Sequence, residues 1–419
     1  MLKKTFLGVL FIVLILALLI AGISFKAAKV GVYGSSDTTV GGYVSENTTW
    51  TCEDSPYIVV DDVHVISGVF LTVEPGVTVK FTNGTNLIID GDLFAQGNST
   101  HKIIFTSNAT TPALGDWGAI NIRTSGSYKE VKWVTVEYST FGIKGLTDSK
   151  ITQTTFHRNE VGVNSSSLIV RESNFTENNI GVTGSDINIS LCRFEESDRG
   201  INGEHMFVAG SRFVANNVGV YGSNLVVEES NFTGNSAGVT GSNINITLCR
   251  FEQNDNGVES SGSIRNSDFH NNTNGITTTY ARIFDCRVTR NKATGITSNG
   301  EIRNTEVSHN GGDGIQGSGI GYEGPSIVNC LITNNNGTGV RCDEITNSTV
   351  SDNKGNGVNL QGSMVHCIIS NNSGVGVYGL GTILDSQISH NLYGLKIGYL
   401  IFSGNGAVAG RFNVIRSHI

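Results

Sequence analysis

An all-β parallel solenoid, built from turns of three short strands, is the fold class this sequence predicts. Two ladders and one missing periodicity predict it. The first ladder is a glycine followed by a small aliphatic residue, running from Gly142, Gly162 and Gly181 to Gly394 at intervals of 18 to 20 residues, with one interval of 25. About nineteen residues are too few for a helical-repeat unit and too many for a hairpin, but they suit one solenoid turn. The second ladder keeps step: Phe156, Phe175, Phe194, Phe213, Phe232, Phe251 and Phe269 give way to Val288, Val307, Ile332, Val350, Ile369 and Ile388. No stretch after the N-terminus sustains the 3.6-residue period of a helix.

Three residues after each rung of the second ladder stands an asparagine: Asn159, Asn178, Asn216, Asn235, Asn254, Asn272, Asn291, Asn310, Asn335, Asn353, Asn372 and Asn391, with Ser197 as the exception. These read as a structural ladder. Asn tolerates the left-handed backbone of a sharp corner, and its amide can bond the Asn of the next turn. The periodic glycines read likewise as corner residues with positive φ. Two residues before each aromatic or aliphatic rung lies a small residue, among them Ser173, Cys192, Ser211, Ser230, Cys249, Ser267, Cys286, Cys330 and Cys367. That separation puts both side chains on one inward strand face. A third inward run adds Leu168 and Val170, Ile187 and Ile189, Leu225 and Val227, Ile244 and Ile246. Roughly sixteen stacked turns are expected, about 4.8 Å apart.

Residues 162–199 and 219–256 align without a gap at an offset of 57, with 25 of 38 positions identical. Any chemistry on one copy should recur on the other, so a unique active site is not expected there.

Residues 1–28 carry Lys3 and Lys4 ahead of an apolar run reaching Phe25. They read as an export segment, either a cleaved signal or an uncleaved membrane anchor. The expected location is extracellular or cell-surface. Residues 29–50 read as a Gly/Ser/Thr-rich stalk, 51–138 as the opening turns and cap, 139–397 as the repeats and 398–419 as a C-terminal cap over an open sheet edge. The net charge of −8 argues against nucleic acid as a partner. The seven cysteines would suggest disulfides in an exported chain. Five of them, however, share the inward rank at two or three turns apart, beyond the roughly 7 Å Cα limit of a bridge, and read as buried thiols. Cys52 and Cys342 have no assignment. Sequons such as Asn174-Phe-Thr176 make glycosylation an open reading.

The opening succession contains Leu71-Thr-Val-Glu-Pro-Gly-Val-Thr-Val-Lys-Phe81, Leu87-Ile-Ile-Asp-Gly-Asp-Leu-Phe-Ala-Gln-Gly97 and Gly115-Asp-Trp-Gly-Ala-Ile-Asn-Ile122. It resembles the first turns of secreted right-handed parallel β-helix proteins of the pectin-lyase-like superfamily, and the later repeats resemble that group's β-helix repeat. The resemblance implies a single right-handed parallel β-helix, the hand usual for parallel crossovers, behind an N-terminal hydrophobic helix. It does not choose a reaction, since one fold hosts many functions. Asn266-Ser-Asp268 and Arg290-Asn-Lys292 match fragments of the polygalacturonase pattern, but its Gly-His-Gly is missing and the one Asp-Asp pair, Asp61-Asp62, lies turns away. No metal ligand set, cofactor or catalytic set is read from the sequence. Trp117 and Trp133 read as packing residues or as sugar-stacking platforms; His157, His270, His309 and His390 read as solvated corner residues. The interruption Gln316–Ser326, with Tyr322 and Glu323, reads as a binding loop or an ordinary insertion. The expected function is non-catalytic binding of a polysaccharide or cell-envelope protein, adhesion or scaffolding; a polysaccharide-active enzyme on the same fold is the alternative.

Overall fold

The computed structural model describes residues 37–123, 130–317, 324–399 and 413–414. The export segment, the candidate loop residues Tyr322 and Glu323, and nearly all of the expected cap at 398–419 lie outside the described residues. Those that are described form an all-β parallel solenoid of about 18 turns, without a helix. This exceeds the expected sixteen because strands begin earlier than the composition suggested. Thr38–Val44 and Thr48–Trp50 lie inside the segment read as a stalk, yet they pair with Tyr57–Val65 and with Phe70–Val73. Their side chains are mostly Thr, Gly, Tyr and Val, so the first turn has β-formers but little of the aliphatic density that marks later turns.

Three strand files make each regular turn. The Phe face holds Asn174–Thr176, Arg193–Glu195 and Arg212–Val214; the glycine face holds Ile180–Ser185, Arg199–Glu204 and Val218–Ser223; the third holds Leu168–Arg171, Asn188–Ser190 and Phe207–Ala209. Register keeps like over like. Phe156, Phe175, Phe194 and Phe213 pair in succession, and the file continues through Phe269 to Val288 and on to Ile388. All seven Phe side chains are fully buried, stacked at 4.6–4.9 Å between centroids with ring planes within 8°. The strand spacing sets this parallel stacking, and apolar burial stabilises it.

The periodic glycines are not left-handed. None of the series is among the positive-φ residues. They are needed for close approach instead: a Cβ on Gly219 would lie 2.6 Å from the Gly238 carbonyl oxygen and 2.9 Å from Phe232 Cδ1. The ladder asparagines are not left-handed either. Positive φ falls on the residue just before them, for example Glu177 (54°), Ala215 (53°) and Gln253 (58°). The Asn supplies the side-chain bonds, and its neighbour absorbs the bend.

Those bonds form a buried wire, interrupted at Ser197. Asn235 Nδ2 donates to Asn254 Oδ1 at 2.9 Å and to the Phe213 carbonyl at 3.1 Å, while the Asn235 backbone N–H donates to the same Oδ1 at 2.9 Å. The pattern crosses the long insertion unchanged, since Asn310 Nδ2 reaches Asn335 Oδ1 at 2.9 Å. The small residues make a second corner ladder rather than sharing a strand with the Phe: Ser211 Oγ donates to the Ala209 carbonyl and accepts from the Cys192 N–H. Leu191 ahead of Cys192 is left-handed (55°), and the strand starts only at Arg193.

Candidate functional site

Among the described residues the core cysteines are closed off as reduced, buried thiols. Cys192, Cys249, Cys286, Cys330 and Cys367 are buried free thiols. Burial pushes the first three up to about 12 and Cys330 to about 11. Cys342, unassigned from sequence, is likewise buried and its thiol is raised; Cys52 is exposed. Trp117 is buried against Phe81, with centroids 4.0 Å apart, and its Nε1 donates to the Glu137 carbonyl, so it is no sugar platform. Trp133 is half-buried at a corner with φ of 54°.

The surface that carries chemistry is the outside of the Phe face. Because the Phe is the middle residue of each three-residue strand, its two neighbours point outward. They build two outward files, one of Asn174, Arg193, Arg212, Asn231, Arg250, Asp268, Arg287 and Glu306 in register. The duplication is visible on it. Arg193 bonds Glu195 at 2.7 Å, and three turns on Arg250 bonds Glu252 at 3.1 Å. The Arg193 guanidinium holds the Glu195 carboxyl below the usual carboxylate range. On the corner beside each pair stands an exposed, left-handed leucine, Leu191 and Leu248.

From the last turn of the second copy onward the file runs along an open groove of about 670 Å³ lined by Leu248, Arg250, Asn266, Asp268, Asp285, Arg287, Asn304 and Glu306. Asp268 Oδ1 is buried without a hydrogen bond and stands 3.5 Å from Arg287 Nε. Of the polygalacturonase-like fragments, Asn266 and Asp268 thus line this groove. Arg290 and Lys292 sit past the far end of the strand Arg287–Thr289, around the ladder residue Asn291. Among the histidines, His157 and His270 belong to strands, each sharing a hydrogen bond with the next turn's Thr176 or Thr289, whereas His309 and His390 are left-handed corner residues. The 18- or 19-residue spacing already makes Arg193, Arg212, Asn231, Arg250, Asp268 and Arg287 an outward row in the sequence, but the row holds no acidic cluster and so marks no site there; the structure adds the groove and the ion pairs.

Residues 42–150 match the family model described as a pectate-lyase like beta helix domain. A segment of 71 residues, 17% of the chain, is 38% identical to the Drosophila melanogaster protein bark beetle, and covers 2% of that protein's length. Several solved structures are similar at low identity. The periplasmic alginate epimerase AlgG is 14% identical over 78% of this chain and 66% of that one, with a TM-score of 0.27. A mannuronic acid specific polysaccharide family 6 lyase from human gut microbiota is 12% identical over 75% and 82%, at 0.35. Pectate lyase Pel9A is 13% identical over 78% and 72%, at 0.30. With the parallel solenoid and the match of its opening turns in hand, the chain is a parallel β-helix protein whose residues 42–150 are those of a pectate-lyase like beta helix domain.

Proposed function

We propose that the protein is an exported, surface-exposed β-helix that holds a long partner, a glycan or a cell-envelope protein, along the outer Phe face without transforming it. The observation that carries this reading is the repetition of one outward set, Leu191 with Arg193–Glu195 and Leu248 with Arg250–Glu252, three turns apart on the same face. Identical subsites in line suit a partner that itself repeats or extends. The Arg–Glu pairing also suits binding over catalysis: a general acid needs a raised pKa, and Glu195 is shifted the other way. The test is a glycan array with Arg193→Ala and Arg250→Ala. Each variant should weaken retention, and the double variant should lose it.

A specific observation favours a second reading. Asp268 and Glu306 occupy the same file two turns apart, about 9.6 Å at the strand spacing, near the upper limit for the two carboxyls of an inverting glycosidase. New reducing ends or an unsaturated product from an acidic polysaccharide, abolished by Asp268→Asn, would replace the binding reading with this one.

A further inference from the structure

We propose that the groove turns of the Phe face form a two-fold, antiparallel contact with a second copy of this chain. This goes beyond the ligand reading: of its four residues only Arg250 lies in the second duplicated copy, and the other three follow it. Four consecutive positions of the outward file are Arg250, Asp268, Arg287 and Glu306, paired strand to strand in register. Their charges alternate along the stack. An alternating row of four is self-complementary when reversed. A two-fold axis lying across the face, parallel to the strands and midway between Asp268 and Arg287, sets Arg250 of one copy opposite Glu306 of the other. The same axis sets Asp268 opposite Arg287, and each pairing occurs twice.

The spacing matches without adjustment, because both copies have the same rise per turn. A parallel arrangement is disfavoured by the same file, since it would place Arg against Arg and Asp against Asp. The neighbouring corner file agrees: the axis brings the exposed Asn266 opposite the exposed Asp285, a donor to an acceptor. Arg250 and Arg287 pair within their own chain with Glu252 and Asp268, yet both keep more than half of their side-chain surface in solvent, where a second copy can reach them.

Sedimentation equilibrium of the full chain in mild detergent tests this. The wild type should dimerise at low salt, with the affinity falling as salt rises. Asp268→Arg alone and Arg287→Glu alone should each weaken dimerisation by about tenfold or more, because each creates two like-charge contacts. Mixed in equal amounts, the two variants should associate again, because Arg at 268 then faces Glu at 287 and Asp268 faces Arg287. That rescue also shows both variants to be folded, as does an unchanged circular dichroism spectrum. A monomeric wild type at low salt, single variants that dimerise like the wild type, or a mixture that stays monomeric would each overturn the proposal.

Discussion

The turns from Phe156 to Phe269 and those from Val288 to Ile388 share one backbone and differ in what fills it. In the first set the core file is a stack of rings; in the second it is Val and Ile, in the same register and equally buried. The corners differ as well. Two residues separate the ladder Asn from the glycine in Asn178–Gly181 and Asn235–Gly238, but three in Asn291–Gly295, Asn310–Gly314 and Asn353–Gly357, the last two with extra glycines. After Gly295 and Gly314 the next strand shrinks to Ile296–Thr297 and Ile315–Gln316, whereas after Gly357 it runs over Val358–Val365. Outside the long interval after Gly314 turn length holds, because the next stretch gives the residue back. What survives both changes is the pair of contacts between successive turns: the glycine against the next glycine's carbonyl, and the Asn wire. Those contacts constrain the repeat more tightly than the core occupant does.

The largest expected effect follows from that contrast. Gly219→Ala in the Phe set would aim a Cβ at the Gly238 carbonyl and the Phe232 ring; Gly339→Ala in the aliphatic set would aim one at Val350 Cγ1, the Gly357 carbonyl (2.6 Å) and the Asn353 amide (2.8 Å). Backbone carbonyls locked in a sheet cannot give way, so both substitutions should destabilise by more than about 3 kcal/mol. Thermal unfolding of both variants checks it. If only Gly219→Ala is costly, the ring rather than the carbonyl sets the requirement.

The buried thiols probe whether the two sets are equally dry. Cys192 and Cys249 belong to the Phe turns, Cys286 and Cys330 to the aliphatic ones, and burial raises all four to about 12, 12, 12 and 11 from an ordinary value of 9.0. The folded state therefore binds these protons more tightly than the unfolded chain. Stability is fully present below about pH 9 and is lost as pH rises toward 12, by about 1.4 kcal/mol per unit of pH for each thiol. Alkaline unfolding should show this slope, and Cys249→Ser and Cys286→Ser should flatten it alike. Rapid alkylation of these cysteines in the native protein at pH 8, beyond the exposed Cys52, would contradict it.

Much of this architecture is legible in the sequence, because a solenoid writes its contacts at a fixed period. The Phe register and the inward cysteine rank can be read by counting. The conformational roles are a different matter. Gly and Asn both tolerate positive φ, so sequence assigned them the bends, whereas the structure puts the bends on Glu177, Ala215 or Gln253. Those residues have no common chemistry, because once the Asn secures the corner its neighbour's side chain is free to face solvent. The first turn at Thr38–Val44 is hidden for want of aliphatic residues, whereas the charged file is legible as an outward row and marks no site there for want of an acidic cluster.

The ladder itself supplies the smallest and sharpest test. Asn235→Leu should cost about 1–3 kcal/mol by leaving the Phe213 carbonyl and the Asn216 groups unpaired. Ser197 is a natural gap in the same wire. Its Oγ accepts from the Asn178 N–H at 3.2 Å, and its own N–H donates to Asn216 Oδ1 at 3.0 Å, so the backbone half of the pattern is kept. Lacking an amide, it cannot make the bond to the Phe175 carbonyl that Asn178 makes to Phe156 and Asn216 makes to Phe194. The corner around it keeps the ordinary spacing, Ser197 to Gly200 matching Asn178 to Gly181. Ser197→Asn should therefore fit without strain and stabilise by about 0.5–1.5 kcal/mol, raising the melting temperature slightly. A decrease would mean that this corner has closed around the smaller side chain, and that the wire tolerates a break because the backbone bonds alone carry it.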